Sequence, residues 1–174
     1  MDASELYITT ERLLLTPFTL HETSLFHTLN TDPFVRKFLW DDEIISRDTA
    51  EEIMIKNEQH FNDDYYGLWK MQEKEREEVM GYVGLWYFFN EPQPQLLYAI
   101  LEEYTKKGYA TEASLAIIEY AFHQLGFEYL IAATDEPHRA SQRVAERLGM
   151  VLVEKRIENG KPTLFYRIDK AQVN

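Results

Sequence analysis

The run Ile100-Leu101-Glu102-Glu103-Tyr104-Thr105-Lys106-Lys107-Gly108-Tyr109-Ala110-Thr111-Glu112-Ala113 decides how this chain folds. A strand ends in it, a short loop with one glycine follows, and a long helix begins. At a helix start the first backbone N–H groups have no intrahelical acceptor, and the positive end of the helix dipole points the same way. Gly108 and Ala110 leave room for an anion to approach that backbone. Lys106 and Lys107 add positive charge beside it. Two readings stay open on these residues alone: a site for a pyrophosphate, or a plain turn with solvated lysines. The G-x-x-x-x-G-K-[ST] spacing of a Walker loop is absent, and so is the three-glycine dinucleotide fingerprint.

Working outward, the helix extends from Ala110 to Leu125, with Leu115, Ile118, Ala121, Phe122 and Leu125 at helical spacing and Gly126 as its stop. The strand before the loop starts at Gln95. It is preceded by the breaker Glu91-Pro92-Gln93-Pro94 and a longer strand from Val79 to Phe89, where Gly81 and Gly84 are possible bulge sites. Tyr65 to Met71 predicts another strand, and Gln72 to Glu78 a charged turn. Upstream, Glu11 to Phe18 reads as a strand ending at Pro17. A short helix from about His21 to Asn30 stops before Asp32-Pro33, and Ser46 or Asp48 caps a second one bearing Ala50, Ile53, Met54 and Phe61. Downstream come a strand from Phe127 to Ala133, a helix from Ala140 to Leu148 ended by Gly149, and two closing strands, Met150 to Ile157 and Thr163 to Ile168. Asn159-Gly160 between them is a strong hairpin signal. The sum is an α/β (α+β) fold, a mixed sheet of about seven strands with about four helices on its faces. No linker or repeat interrupts it, so residues 1–174 read as a single domain.

Composition narrows the function. With 45 % apolar and 28 % charged residues, the 174-residue chain is globular in balance and long enough to bury a core. It has no cysteine, which excludes disulfides, thiolate metal sites and a cysteine nucleophile. His21, His27, His60 and His123 show no metal-ligand spacing. The formal charge of −12 argues against nucleic acid as a partner and is compatible with a cationic substrate. The N-terminus has neither a basic region nor an apolar run, and no stretch approaches the ~20 apolar residues of a membrane span. The expectation is a cytoplasmic protein.

Lys107 to Ala113 resembles the coenzyme A pyrophosphate loop of the GNAT acetyltransferase superfamily, in the form used by its RimJ/RimL-type branch. His138-Arg139-Ala140-Ser141-Gln142-Arg143-Val144-Ala145-Glu146-Arg147-Leu148-Gly149-Met150 is similar to that branch's Asn-x-x-Ser…Leu-Gly-Phe segment, and Thr10-Glu11-Arg12-Leu13-Leu14-Leu15 to its first strand. Order and spacing agree from about residue 8 to 168. The chain departs from the pattern at Lys106, where the branch usually has glycine, and at Thr105, His138 and Met150. The resemblance implies acetyl-CoA lying in a V-shaped gap between two splayed parallel strands, Gln95 to Leu101 and Phe127 to Ala133. Ile100, Leu101, Lys106, Lys107, Gly108, Tyr109, Ala110, Thr111, His138 and Ser141 would contact it. The pantetheine amides would pair with the unpaired strand edges.

The activity so implied is transfer of an acetyl group from acetyl-CoA to a primary amine, either a protein N-terminus or a small cationic amine. Many members carry a tyrosine where this chain has Ala145; the resemblance to the RimJ/RimL-type branch instead implies Ser141 as proton donor to the departing thiolate. Glu91, after the strand bordering the acceptor cleft, is the carboxylate assigned as base; Glu102, Glu103 and His138 are alternatives. Trp40, Trp69, Trp86, Tyr87 and Phe88 either shape the acceptor cleft or pack the core. A non-catalytic acyl-CoA-binding or sensing domain of the same fold is the alternative, and a structural module a third. A free β-edge near the C-terminal hairpin offers a homodimer contact.

Overall fold

Proline at the head of a helix and proline after its end look alike in sequence, and Asp32-Pro33 is the first kind. In the computed structural model, which describes residues 3–173, the Asp32 carboxylate accepts from the amides of Phe34 at 2.9 Å and Val35 at 3.2 Å. That cap starts a helix on Pro33, whose missing N–H and fixed φ suit the first helical position. Three helices therefore follow one another here: α1 (Thr23–Thr31), α2 (Pro33–Leu39) and α3 (Arg47–Asp64), the last capped by Ser46. The expected helix ending before Asp32 is followed at once by one the sequence reading did not contain.

These helices connect β2 (Leu13–Pro17) to β3 (Leu68–Glu73) in an antiparallel sheet that runs in chain order from β1 (Ile8–Thr9) through β4 (Val79–Trp86) to β5 (Gln95–Ile100). A register shift between Met71 and Gln72, opposite Val79 to Gly81, is the bulge expected near Gly81. Gly84 lies in regular register; a side chain there would meet the Gly67 carbonyl oxygen at 2.1 Å, so close backbone approach explains it. β4 ends at Trp86, short of Phe89, because Phe89 and Asn90 turn the chain with φ of 54° and 57°.

After β5 the long helix α4 (Tyr109–His123) leads to a second antiparallel sheet, ordered β6 (Tyr129–Asp135), β8 (Lys161–Asp169), β7 (Val151–Glu158). α5 (Arg139–Arg147) joins β6 to β7, and Asn159-Gly160 makes the β7–β8 turn with positive φ at both residues. The fold is thus the mixed α/β domain the sequence predicts, with five α-helices and eight strands among the described residues, the sheet being divided in two.

Alternation along β5 sorts the faces. Leu96, Tyr98 and Ile100 join a core with Ile117, Ile118 and Phe122 of α4 and with Leu130 and Ala132 of β6. Leu97, Ala99 and Leu101 point the other way, to a cluster of Phe18, Phe26, Met54 and Tyr82 beneath α1–α3. Buried Asn30 ties that second layer together. Its Oδ1 accepts from the Tyr82 hydroxyl at 2.6 Å and from Trp40 Nε1 at 2.9 Å, while its Nδ2 donates to the Phe26 carbonyl. The end of α2 is held over β4 and β5 by these bonds.

Candidate active site

β5 and β6 are neighbours without being ladder partners. Gln93 Nε2 donates to the Tyr129 carbonyl at 2.6 Å and ties their starting ends together. From that tie both strands run in one direction and separate. Since β5 pairs only with β4, and β6 only with β8, their facing edges have no ladder partner among the described residues. A cavity of about 560 Å³ fills the wedge, within the usual range of a small-molecule site. It is bounded by Leu96 to Ile100, by Ala133 to Asp135, by Lys106 and Gly108 to Thr111, and by Ser141 and Val144 of α5.

The turn into α4 is shaped for an anion. After a 3-10 turn at Glu102–Tyr104, Lys106 and Gly108 both take left-handed φ, 65° and 82°. These reversals present successive amides on one side. Among the described residues, the N–H groups of Lys106, Lys107, Gly108, Tyr109, Ala110 and Thr111 find no acceptor; the first helical bond is Glu112 N–H to the Gly108 carbonyl at 3.0 Å. Arg12 braces the turn from behind. Its Nη1 donates to the Lys107 carbonyl at 2.9 Å, its Nε to Glu112 Oε1 at 2.8 Å, and its guanidinium lies 4.4 Å over the Tyr109 ring. Burial works to raise the Glu112 pKa, but hydrogen bonds from the Thr10 hydroxyl and from the Arg12 amide and side chain outweigh it and hold it below the usual range.

Deeper in the cavity, the Tyr98 hydroxyl donates to the Ser141 carbonyl at 2.9 Å, and Ser141 Oγ donates to the Tyr98 oxygen at 3.3 Å. Burial pushes the Tyr98 phenol up to about 12, the contact with Ser141 opposing it, so the phenol keeps its proton at neutral pH. Ala145, where the family's common tyrosine would stand, is buried against the core. His138 precedes α5 and stacks on Phe38 with centroids 3.9 Å apart and planes 7° from parallel. Burial pushes its imidazole down to about 4 against the pull of Asp135, so the ring is neutral.

Of the residues singled out from sequence, Ile100, Lys106, Gly108, Tyr109, Ala110, Thr111, His138 and Ser141 all line this one cavity. Three do not. Leu101 packs into the cluster beneath α1–α3, and Lys107 turns its carbonyl to Arg12. Glu91 stands away from the lining, its carboxylate 2.8 Å from Arg156 Nη2. Glu102 lines the cavity; Glu103 does not. Phe88 lines it, whereas Trp40 donates to Asn30 and Trp69 is wholly buried, donating to the Leu6 carbonyl at 2.7 Å. Sequence reading missed Arg12, Tyr98, Phe34 and Phe38. Among the described residues there is no group of three or more metal-ligating side chains, and no helix is long and apolar enough to cross a membrane.

Comparison with known proteins supplies the family. Residues 12–151 match the family described as acetyltransferase (GNAT) domain. A Bacillus subtilis (strain 168) protein called an uncharacterized N-acetyltransferase, YnaD, is 25 % identical over 145 residues, 83 % of this chain and 82 % of that one. Among solved structures, an acetyltransferase from Agrobacterium tumefaciens str. C58 superposes with a TM-score of 0.81 at 22 % identity, covering 94 % of both chains. RimL, a ribosomal L7/L12 alpha-N-protein acetyltransferase in complex with coenzyme A, superposes at 0.78 with 16 % identity, covering 94 % of this chain and 97 % of its own. At such identities the structural likeness is one of fold.

Proposed function

Because the chain belongs to the GNAT acetyltransferase family, we propose that it is an acetyl-CoA-dependent N-acetyltransferase acting on a primary amine. One observation carries the reading: among the described residues a run of amides without acceptors heads α4, and Lys106 and Gly108 to Thr111 of that run line a wedge between two unpaired strand edges. Amides so oriented suit a diphosphate, and strand edges suit an arm containing two amide groups. RimL, of the same fold, is a complex with coenzyme A.

When bound, acetyl-CoA supplies the acetyl group as a thioester. The chain's own part is to grip, orient and move protons. Lys106 and the amides from Lys106 to Thr111 hold the diphosphate, with Arg12 and Glu112 fixing the loop behind them. Ile100 and its neighbours in β5 would flank the arm. Ser141 Oγ provides the proton for the released thiol, and Tyr98, still protonated, orients Ser141 through its carbonyl. Glu91, committed to Arg156, is not assigned as base. His138 adds no positive charge at neutral pH, so an amine beside it is not repelled. The amine attacks in its neutral form and gives up its proton to water, which restores the proton Ser141 has lost.

Coenzyme A should raise the melting temperature of the purified protein, and acetyl-CoA with a panel of amines should release free thiol and a product heavier by one acetyl group. Stabilisation without thiol release across the panel would leave the binding or sensing alternative in its place; absence of stabilisation would remove both.

A further inference from the structure

The cavity does not stop at the wedge. Its lining also includes Phe34, Val35, Phe38 and Leu39 of α2 and Phe88 and Phe89 of the β4–β5 turn, on the side covered by α1–α3. Phe89 is held edge-on to buried Phe165, their centroids 5.5 Å apart, and Phe38 is stacked on the neutral His138 ring. This end of the site is therefore ring-lined, with Phe38 and Phe89 each packed against a neighbouring ring.

Few acids line it. The only acids lining the cavity, among the described residues, are Glu102 at the anion-binding end and Asp135. Asp135 is 2.8 Å from Lys161 Nζ, which also pairs with Asp41. Outside the lining, Glu91, Glu154 and Glu158 share the one guanidinium of Arg156, and Lys37 Nζ lies over the Phe38 ring. At the ring-lined end the one lining carboxylate, Asp135, already shares Lys161 with Asp41, so a second ammonium buried among the rings would have no carboxylate of its own there, and burying such a charge unpaired is costly. The Asp41–Lys161–Asp135 chain and the Phe38–His138 stack also join the α2 side of the chamber to the β6–α5–β8 side. Both cross-links reduce the room for an extended polypeptide between these two sides.

We infer that the acceptor is a small monoamine carried on an apolar, ring-bearing body, seated among Phe34, Phe38, Phe88 and Phe89 rather than a polyamine or a protein N-terminus. This rests on the acetyltransferase reading and names its substrate class. Four rings around one body favour an aromatic group through both apolar burial and edge-to-face contact. Ser141 lines the same cavity as these rings, so an amine on a short spacer shares one space with the proton donor.

The test is steady-state thiol release by the full chain with acetyl-CoA and four probes: 2-phenylethylamine, isoamylamine, spermidine and a serine-initiated hexapeptide. The expected kcat/KM for phenylethylamine exceeds that for spermidine and for the peptide by about 50-fold or more, with isoamylamine between. Phe89→Ser and Phe34→Ser should each raise the phenylethylamine KM about tenfold and leave the coenzyme A thermal shift intact. Preference for spermidine or the peptide would overturn the inference, as would phenylalanine variants with unchanged KM or the lack of any turnover while coenzyme A still stabilises. Loss of the coenzyme A shift in the unmodified protein would instead overturn the acetyltransferase reading beneath it.

Discussion

Arg12 and Glu112, one hundred positions apart in the chain, meet at 2.8 Å behind the turn that opens α4. The same guanidinium reaches the Lys107 carbonyl, so one side chain fixes both the turn and the first helical residues. Neither group faces the cavity. Their role is to pre-order the amides that do.

Replacing Arg12 with alanine should therefore weaken coenzyme A binding by roughly five- to tenfold while leaving the fold intact, since a charge-assisted brace is lost but no direct contact. Arg12→Lys should recover little, because an ammonium cannot serve two acceptors in the same forked geometry. Isothermal titration with coenzyme A measures this; unchanged affinity in the alanine variant would show the turn to be ordered without its brace.

Gly108 sits at φ of 82°, and a Cβ there would come 3.3 Å from Arg12 Nη2. Gly108→Ala should cost about 1 kcal/mol of stability from the left-handed backbone. Gly108→Glu adds negative charge at the anion site, and coenzyme A should then give almost no thermal shift. A full shift in the glutamate variant would place the diphosphate elsewhere.

Ser141 and Tyr98 should separate kinetically. Ser141→Ala removes the proton donor, so kcat should fall by about 10²-fold with the acetyl-CoA KM little changed. Tyr98→Phe keeps the ring but frees the Ser141 carbonyl; a smaller fall, about tenfold in kcat, is expected. If both variants turn over at the parent rate, the thiol leaves without help from this pair.

His138 gives stability a pH signature. Its folded pKa, about 4, lies below its ordinary value of 6.5. Between those values the unfolded chain binds a proton at this residue that the folded chain does not. Its contribution is therefore fully present above pH 6.5 and declines as pH falls toward 4. Urea unfolding across that window should show a shallower decline for His138→Phe than for the parent, and parallel curves would count against a ring held neutral by burial.

What could be read from sequence was what is local. Lys107 to Ala113 declares a glycine-marked turn into a helix within seven residues, and Asn159-Gly160 declares a hairpin within two. Asp32-Pro33 was ambiguous for a physical reason: proline ends one helix and begins the next with the same ring, and only the cap geometry of Asp32 decides. Missing α2 meant missing Phe34 and Phe38, hence one side of the ring-lined chamber. Tyr98 was legible in principle, since alternation with Leu96 and Ile100 turns it toward α4 and α5. The Arg12–Glu112 brace was not, because no spacing rule links residues one hundred apart. Nor was the pairing of Glu91 with Arg156, which becomes visible only when β7 is placed beside the β4–β5 turn.

The tie between Gln93 and Tyr129 has a mechanical corollary. Each half of the β-structure completes its own ladder, so the angle at which the two halves diverge is set by side-chain contacts, not by main-chain pairing. Exchanging residues along the aperture can retune its width without unpicking a single rung. Evolution can thus alter what is admitted while the framework stays untouched.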